Sequence, residues 1–255
     1  MRTMYVIIFF IAGAILGSFY NVLGLRIPNN ESIVKPRSHC EKCGHVLKWY
    51  ELIPIVSFIF LKGRCRNCKT KLSLMYLFTE VFCGLLFAIC FYSYGFRWPI
   101  LIALIVSSML IIVIVCDLTY MIIPNRFIII PSIMILLIKI IFSGFKEAGI
   151  FLIFGLLAFL IMFIIMKFGS FIFKKEALGG ADVKLMFTVG LCVEPFLSLL
   201  VIIIASIVAL PVSLLLYFKE KENIIPFGPF ILIGLLIIMF TKLDSQGIIN
   251  LLLSK

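Results

Sequence analysis

Long, nearly uncharged apolar runs recur along this chain and decide what it can fold into. A water-soluble fold of 255 residues could not bury a composition that is 63% hydrophobic and 14% charged, with a mean hydropathy of +1.23. Lipid accepts such side chains on every outward face, provided that each backbone polar group is satisfied within a helix. The composition therefore predicts an all-α polytopic membrane protein.

Helices that cross about 30 Å of hydrocarbon need about 20 apolar residues, and the runs of this length set the predicted spans. Seven such spans are predicted: Tyr5–Leu25, Leu74–Gly95, Pro99–Cys116, Phe127–Phe142, Gly149–Phe168, Phe196–Phe218 and Pro226–Thr241. An eighth, Val183–Val193, would be only about 16 Å long at 1.5 Å per residue, so its ends would have to lie in polar cavities. We therefore expect about eight transmembrane helices, one of them short.

Basic residues orient the predicted spans, because lysine and arginine collect on the cytoplasmic side of a membrane. Ten of the 23 lie between Arg26 and Lys71. Placing this loop in the cytoplasm puts 17 of the 23 on that side and both termini outside, which agrees with eight crossings. The net charge of +11 thus serves orientation, and no nucleic-acid partner is expected.

Two C-x-x-C pairs lie in this basic loop, Cys40 with Cys43 and Cys65 with Cys68, separated by 21 residues. This spacing is typical of four thiolates around one structural Zn²⁺. Redox-active thiols and free cysteines are the alternatives. Positions 44 and 69, directly after each pair, suit the tight turns of such knuckles. The neighbouring histidines, His39 and His45, are expected to be solvated. The other four cysteines fall within spans and are expected to act as small apolar residues.

Three acidic residues fall at or inside predicted spans, where an ionisable group is a functional candidate. These are Glu80 in the second span, Asp117 at the end of the third, and Asp182 before the short helix. Asp117 and Asp182 fall at the same predicted membrane margin and could form an aspartic-protease dyad. The alternatives are a proton- or ion-coupled transport site, or structural roles: a helix N-cap for Asp182 and pairing with Arg126 for Asp117.

Both aspartates lie in motifs that resemble those of the bacterial type IV prepilin peptidases, relatives of the G-x-G-D intramembrane aspartic proteases. Asp117 opens Asp-Leu-Thr-Tyr-Met-Ile-Ile-Pro-Asn, and Asp182 stands in Gly-Gly-Ala-Asp-Val-Lys-Leu. Other signatures follow in the family's order: Gly17–Val22 with Arg26, Arg37–Cys40, Trp49–Pro54, Gly63–Cys68 and Pro226–Pro229. Two positions depart from the pattern, Ala181 where a glycine is usual and Asn125 where an acid is common.

The resemblance implies a bifunctional enzyme. It would cleave the basic leader of prepilins and pseudopilins at the cytoplasmic face of the bacterial cytoplasmic membrane, with Asp117 and Asp182 as catalytic residues. It would then methylate the new N-terminus with S-adenosylmethionine. Residues 1–95, including the cysteine loop 26–73, would form the methyltransferase part, with Glu80 as a candidate cofactor-site residue, and residues 96–255 the six-span peptidase part. Expected partners are these substrates and membrane lipid. The alternative is a proton-coupled transporter that uses the same two aspartates.

Overall fold

The computed structural model describes residues 1–174, 179–220 and 226–243. Within these ranges the chain is helical and contains no β-strand. It divides into two compact units, Met1–Ile100 and Leu101–Lys255. The all-α membrane class predicted from the composition is confirmed.

Each predicted span forms a helix. The described elements are α1 (Arg2–Arg26), a 3₁₀ turn (Trp49–Leu52), α2 (Val56–Phe60), α3 (Leu74–Tyr94), α4 (Pro99–Tyr120), α5 (Arg126–Ser143), α6 (Phe145–Phe173), α7 (Gly180–Cys192), α8 (Pro195–Glu220) and α9 (Gly228–Thr241). Six of them, α1, α3, α4, α5, α6 and α8, are long and apolar enough to cross a membrane. The 13 residues of α7 and 14 of α9 extend only about 20 Å at 1.5 Å per residue. The expected count of eight spans is therefore not confirmed.

Glycines on both helices allow α1 and α3 to pack closely in the first unit. A Cβ atom added to Gly13 would lie 2.7 Å from the Cys83 carbonyl oxygen, and one added to Gly84 would lie 2.9 Å from that of Phe10. Helices in lipid associate mainly through such packing, because lipid tails are as apolar as the side chains that they replace. The small residues of α1 therefore determine where α3 can approach it.

The second unit positions the short helix α7, which packs against α5, α6 and α9. Its contact with α6 is made at glycine: a Cβ on Gly190 would lie 2.5 Å from the Phe154 carbonyl oxygen and 2.7 Å from Cα of Gly155. On its other side, the hydroxyls of Thr188 and Ser132 of α5 lie 2.8 Å apart in a buried hydrogen bond. These contacts fix the position of α7 and hence of the residues at its start.

We predict that Gly190→Ala destabilises the second unit, because the new methyl group meets backbone atoms that cannot rotate away. Overpacking of this kind costs about 1–3 kcal/mol. Gly149→Ala is the matched control, since no atom lies within 4 Å of a Cβ at this position in α6, and alanine favours a helix over glycine. Thermal unfolding of the purified protein should show a lower midpoint for the first variant only. Equal midpoints for both variants would contradict the packing described.

Candidate active site and cysteine cluster

Asp117 lies in the last turn of α4, and its side chain is buried, with 7% of the residue exposed. The helix continues beyond it to Tyr120, so Asp117 begins the last turn and is not the final helical residue. The Met121 N–H donates to the Asp117 carbonyl oxygen at 3.0 Å, and Met121 then leaves the helix with φ of 52°. The carboxylate is thus carried on an ordered helical turn.

Asp182 lies in the first turn of α7 and is also 7% exposed. Its backbone N–H donates to the Gly179 carbonyl oxygen at 3.1 Å, and its carboxylate accepts the Gly179 N–H. Gly179 rather than Asp182 is the N-cap residue. Ala181 is the second residue of α7 and is not among the residues with positive φ. The departure from glycine at this position therefore introduces no left-handed strain.

Gly228, the first residue of α9, is where the surroundings of the two aspartates meet. A Cβ at this position would lie 3.4 Å from Oδ2 of Asp117 and 3.2 Å from Cδ1 of Leu185, one turn beyond Asp182. Asp117 is also close enough to act electrostatically on Asp182. The structure thus brings together the two carboxylates that the sequence singled out. The proximity of Gly228 to Asp117 was not predicted, although the Pro-Phe-Gly-Pro motif contains this glycine.

Two basic residues near the aspartates, Arg126 and Lys184, form no ion pair with them in the described part of the chain. Within the described ranges, no ion pair joins Asp117 to Arg126, which is exposed. Lys184 is directed to α5, where its Nζ donates to Oδ1 of Asn125 at 2.9 Å. The amide of Asn125 therefore accepts the hydrogen bond that a carboxylate would accept there, and the departure from an acid at this position preserves the contact.

Four thiols of the loop converge as the spacing predicted. The Sγ atoms of the two C-x-x-C pairs all lie within 4.8 Å of one another, with 3.8 Å between Cys40 and Cys68 and 3.9 Å between Cys43 and Cys65. A tetrahedron of thiolates at the usual Zn–S distance of about 2.3 Å has S–S edges of about 3.8 Å. The cluster thus has the size of a tetrahedral zinc site.

The two pairs are held by matching backbone turns. In the first, the Gly44 N–H donates to Cys40 and the Cys40 N–H to His45; in the second, Lys69 and Thr70 make the same two bonds with Cys65. The residue after each pair has positive φ, 66° at Gly44 and 59° at Lys69. The predicted tight turns are confirmed, and they form two similar knuckles that face each other.

The surroundings of two of these thiols favour thiolates. Backbone N–H groups of Cys43 and Lys42 lower the pKa of Cys40. The hydroxyl and N–H of Thr70 lower the pKa of Cys68 to about 6. The backbone N–H of His45 lowers the pKa of Cys43, but burial and the three neighbouring thiols outweigh it and raise that pKa to about 11. A thiolate is the form that binds a metal ion, so Cys40 and Cys68 are the two thiols of the cluster best prepared to bind one.

One of the two loop histidines is not simply solvated. His45 is partly buried, and its Nε2 lies 3.2 Å from Oε2 of Glu51, which also accepts the Lys48 N–H at 2.8 Å. These two contacts lower the pKa of Glu51, the backbone N–H contributing most. His39 is exposed as expected. The expectation was wrong for His45 because the 3₁₀ turn folds Glu51 back onto the first knuckle, and no local signal in the sequence indicates this.

Glu80 lies on α3 in the first unit and is 8% exposed. Its Oε2 accepts the Ile55 N–H at 2.7 Å, and its carboxylate also accepts a hydrogen bond from the Ser18 side chain. One turn of α1 away, the Asn21 amide donates to Oγ1 of Thr79. The structure therefore places Glu80 where α1, α3 and the cysteine loop meet, within the region that the sequence analysis predicted to form the methyltransferase part.

Comparisons with known proteins agree with this geometry. Residues 11–94 match the family described as "Bacterial Peptidase A24 N-terminal domain". Residues 104–214 match the family described as "Type IV leader peptidase family". No solved structure gives a significant match.

Several relatives carry the name prepilin leader peptidase/N-methyltransferase. That of Vibrio cholerae is 31% identical, over 94% of this chain and 98% of its own. Those of Myxococcus xanthus and Bacillus subtilis are 35% and 46% identical, over 73% and 48% of this chain. These two matches span about half of the relatives' length, 56% and 49%. With family matches in both units and the relative in Vibrio cholerae aligned over nearly its whole length, the chain belongs to the type IV leader peptidase family.

Proposed function

We propose that this protein removes the leader peptide of prepilins and pseudopilins with Asp117 and Asp182 as its catalytic dyad, and then methylates the new N-terminus. The observation that carries the proposal is that these two buried carboxylates lie within electrostatic range of each other in a chain of the leader peptidase family. Such a pair is the minimal equipment for aspartic proteolysis.

The chemistry follows from the two carboxyl groups. One carboxylate takes a proton from a water molecule, whose oxygen attacks the scissile carbonyl carbon, while the other carboxyl group protonates the carbonyl oxygen. The resulting tetrahedral intermediate then expels the amine as the C–N bond breaks and the nitrogen takes a proton. No described residue other than these two acids is needed for this sequence of proton transfers.

The family and the long apolar helices indicate a multi-pass membrane protein. We further propose the bacterial cytoplasmic membrane, with the dyad at its cytoplasmic face, because most lysines and arginines of the chain then lie on that side. A substrate with a basic leader and an apolar helix already in the bilayer would present its scissile bond at headgroup depth. Apolar helix packing and anionic lipid headgroups would recruit it.

The cysteine cluster fits zinc, on the grounds of its four-sulfur donor set and S–S distances. We propose that Cys40, Cys43, Cys65 and Cys68 hold one structural Zn²⁺. Its role would be to join the two knuckles of a loop that has few buried side chains. With four protein ligands no position stays open for substrate, so this metal would not take part in proteolysis.

Methylation of the product is proposed from the names of the relatives, which imply use of S-adenosylmethionine. We place this activity in residues 1–95. The two buried carboxylates of this region, Glu51 and Glu80, already accept the N–H groups of Lys48 and Ile55.

The alternative function, a proton-coupled transporter, has no support in the comparisons, whose matches are to leader peptidases. The dyad geometry agrees with the peptidase.

We predict that Asp117→Asn and Asp182→Asn each abolish cleavage, since an amide cannot exchange the proton that the reaction moves. Membranes containing each variant would be incubated with a prepilin, and the shortened product measured by gel electrophoresis. A loss of at least about 10³-fold is expected when one member of such a proton-transfer unit is removed. Glu147→Gln, which changes an exposed acid in the first turn of α6, is the matched control and should cleave normally. Cleavage by Asp182→Asn at the control's rate would refute the dyad.

We also predict one Zn²⁺ per chain. Metal analysis of the purified protein should find it, and Cys40→Ser/Cys65→Ser should lose it, because hydroxyl groups replace two thiolates. Cys83→Ser/Cys90→Ser, which changes two buried cysteines of α3, is the control and should keep the metal. The loop variant should lose stability or methylation more than cleavage. Full zinc content in that variant would show that the ion is bound elsewhere.

A further inference from the structure

The cysteine loop meets the membrane helices at a strained backbone turn. Ile55 has φ of 63° and ψ of −53°, and the Val56 N–H donates to the Pro54 carbonyl oxygen across it. This is a γ-turn of the rare, strained kind. A β-branched residue at positive φ is an outlier that persists only when its surroundings hold it in place.

The group that holds this turn is the buried carboxylate of Glu80. It accepts the Ile55 N–H at 2.7 Å, and such a bond is stronger than one to a neutral oxygen when the carboxylate is ionised. The same carboxylate accepts the Ser18 hydroxyl of α1. Gly17 allows this approach, since a Cβ there would lie 3.1 Å from Cα of Glu80.

Ile55 is connected in turn to the cysteine cluster. It directly precedes α2 and follows the 3₁₀ turn that carries Glu51. Glu51 contacts His45, whose carbonyl oxygen accepts the Cys40 N–H of the first knuckle. A continuous set of hydrogen bonds and short chain segments therefore runs from Glu80 to the first knuckle.

We propose that Glu80 is a positioning residue, which fixes the cysteine loop on α1 and α3 by holding the strained turn at Ile55. The sequence analysis predicted a different role for Glu80, as a cofactor-site residue of the methyltransferase part. Both of its observed contacts are with hydrogen-bond donors of the protein itself, and these favour the anchoring role. Of the measurements below, methylation rests on the proposed function, whereas hydrogen exchange at the Ile55 amide does not.

Glutamine and leucine at position 80 separate the two roles. Glu80→Gln removes the charge and the basicity but keeps an oxygen to accept the Ile55 N–H and an amide to bond the Ser18 hydroxyl. Glu80→Leu keeps a similar volume and leaves the Ile55 N–H without a partner. Both would be made in the full chain, with hydrogen exchange at the Ile55 amide, prepilin cleavage and methylation measured on each.

In Glu80→Gln, we expect methylation and exchange within about threefold of the unmodified protein, since one neutral hydrogen bond replaces a charged one. In Glu80→Leu, we expect about tenfold faster exchange and about tenfold weaker methylation, since a buried donor is left unpaired. Cleavage should be unchanged in both. Adding Ile55→Gly to Glu80→Leu should recover part of the methylation, because glycine adopts positive φ without strain.

Two results would overturn the proposal. One is Glu80→Gln losing methylation while cleavage and Ile55 protection stay normal, which would identify an acid–base group. The other is Glu80→Leu keeping the Ile55 amide protected. If Glu80→Leu does not fold, which would be seen as a loss of cleavage, Glu80→Gln still distinguishes the anchoring role from the acid–base role. If the unmodified protein does not methylate at all, the methyltransferase half of the proposed function fails, and the exchange rates alone test the anchor.

Discussion

Close approach of helix backbones at glycine is the interaction on which both units depend. In lipid the hydrophobic effect between helices is weak, so the strength of packing is set by how closely two backbones can come. Gly17 brings α1 against α3, and Gly190 brings α7 against α6. Gly228 makes a different kind of contact, with side chains, and one of these is Oδ2 of Asp117. Gly17 and Gly228 lie next to the buried acids Glu80 and Asp117, whereas Gly190 lies near the opposite end of α7 from Asp182 and fixes the helix that carries this acid.

The buried acids differ in what surrounds them, and the difference matches their proposed roles. Glu80 accepts donors from α1 and from the loop, as a group that holds parts of the structure together would. Asp182 accepts one N–H, from Gly179, and has Asp117 within electrostatic range. Two carboxylates this close repel each other when both are ionised, so the pair does not stabilise the fold. Such an arrangement is typical of groups that exchange protons with a substrate.

The cysteine loop is not stabilised by close helix packing. It has few large buried side chains between Arg26 and Leu74, while Trp49 is 75% exposed and Phe60 is 83% exposed. A segment of this kind cannot be stabilised by an apolar core, so it relies on thiolates, on backbone turns and on the two carboxylates Glu51 and Glu80. This explains why polar contacts are concentrated in the loop and its junction with the helices.

The sequence alone determined the membrane class and the positions of the helices. It also singled out four candidate metal ligands and two candidate catalytic aspartates. These features depend on composition and on short-range spacing, which are readable without tertiary contacts. The tertiary structure decided the rest. It decided the contact of Glu80 with the turn at Ile55, the pairing of His45 with Glu51 and the proximity of Gly228 to Asp117. Each of these joins residues that are distant in sequence or that no local pattern marks.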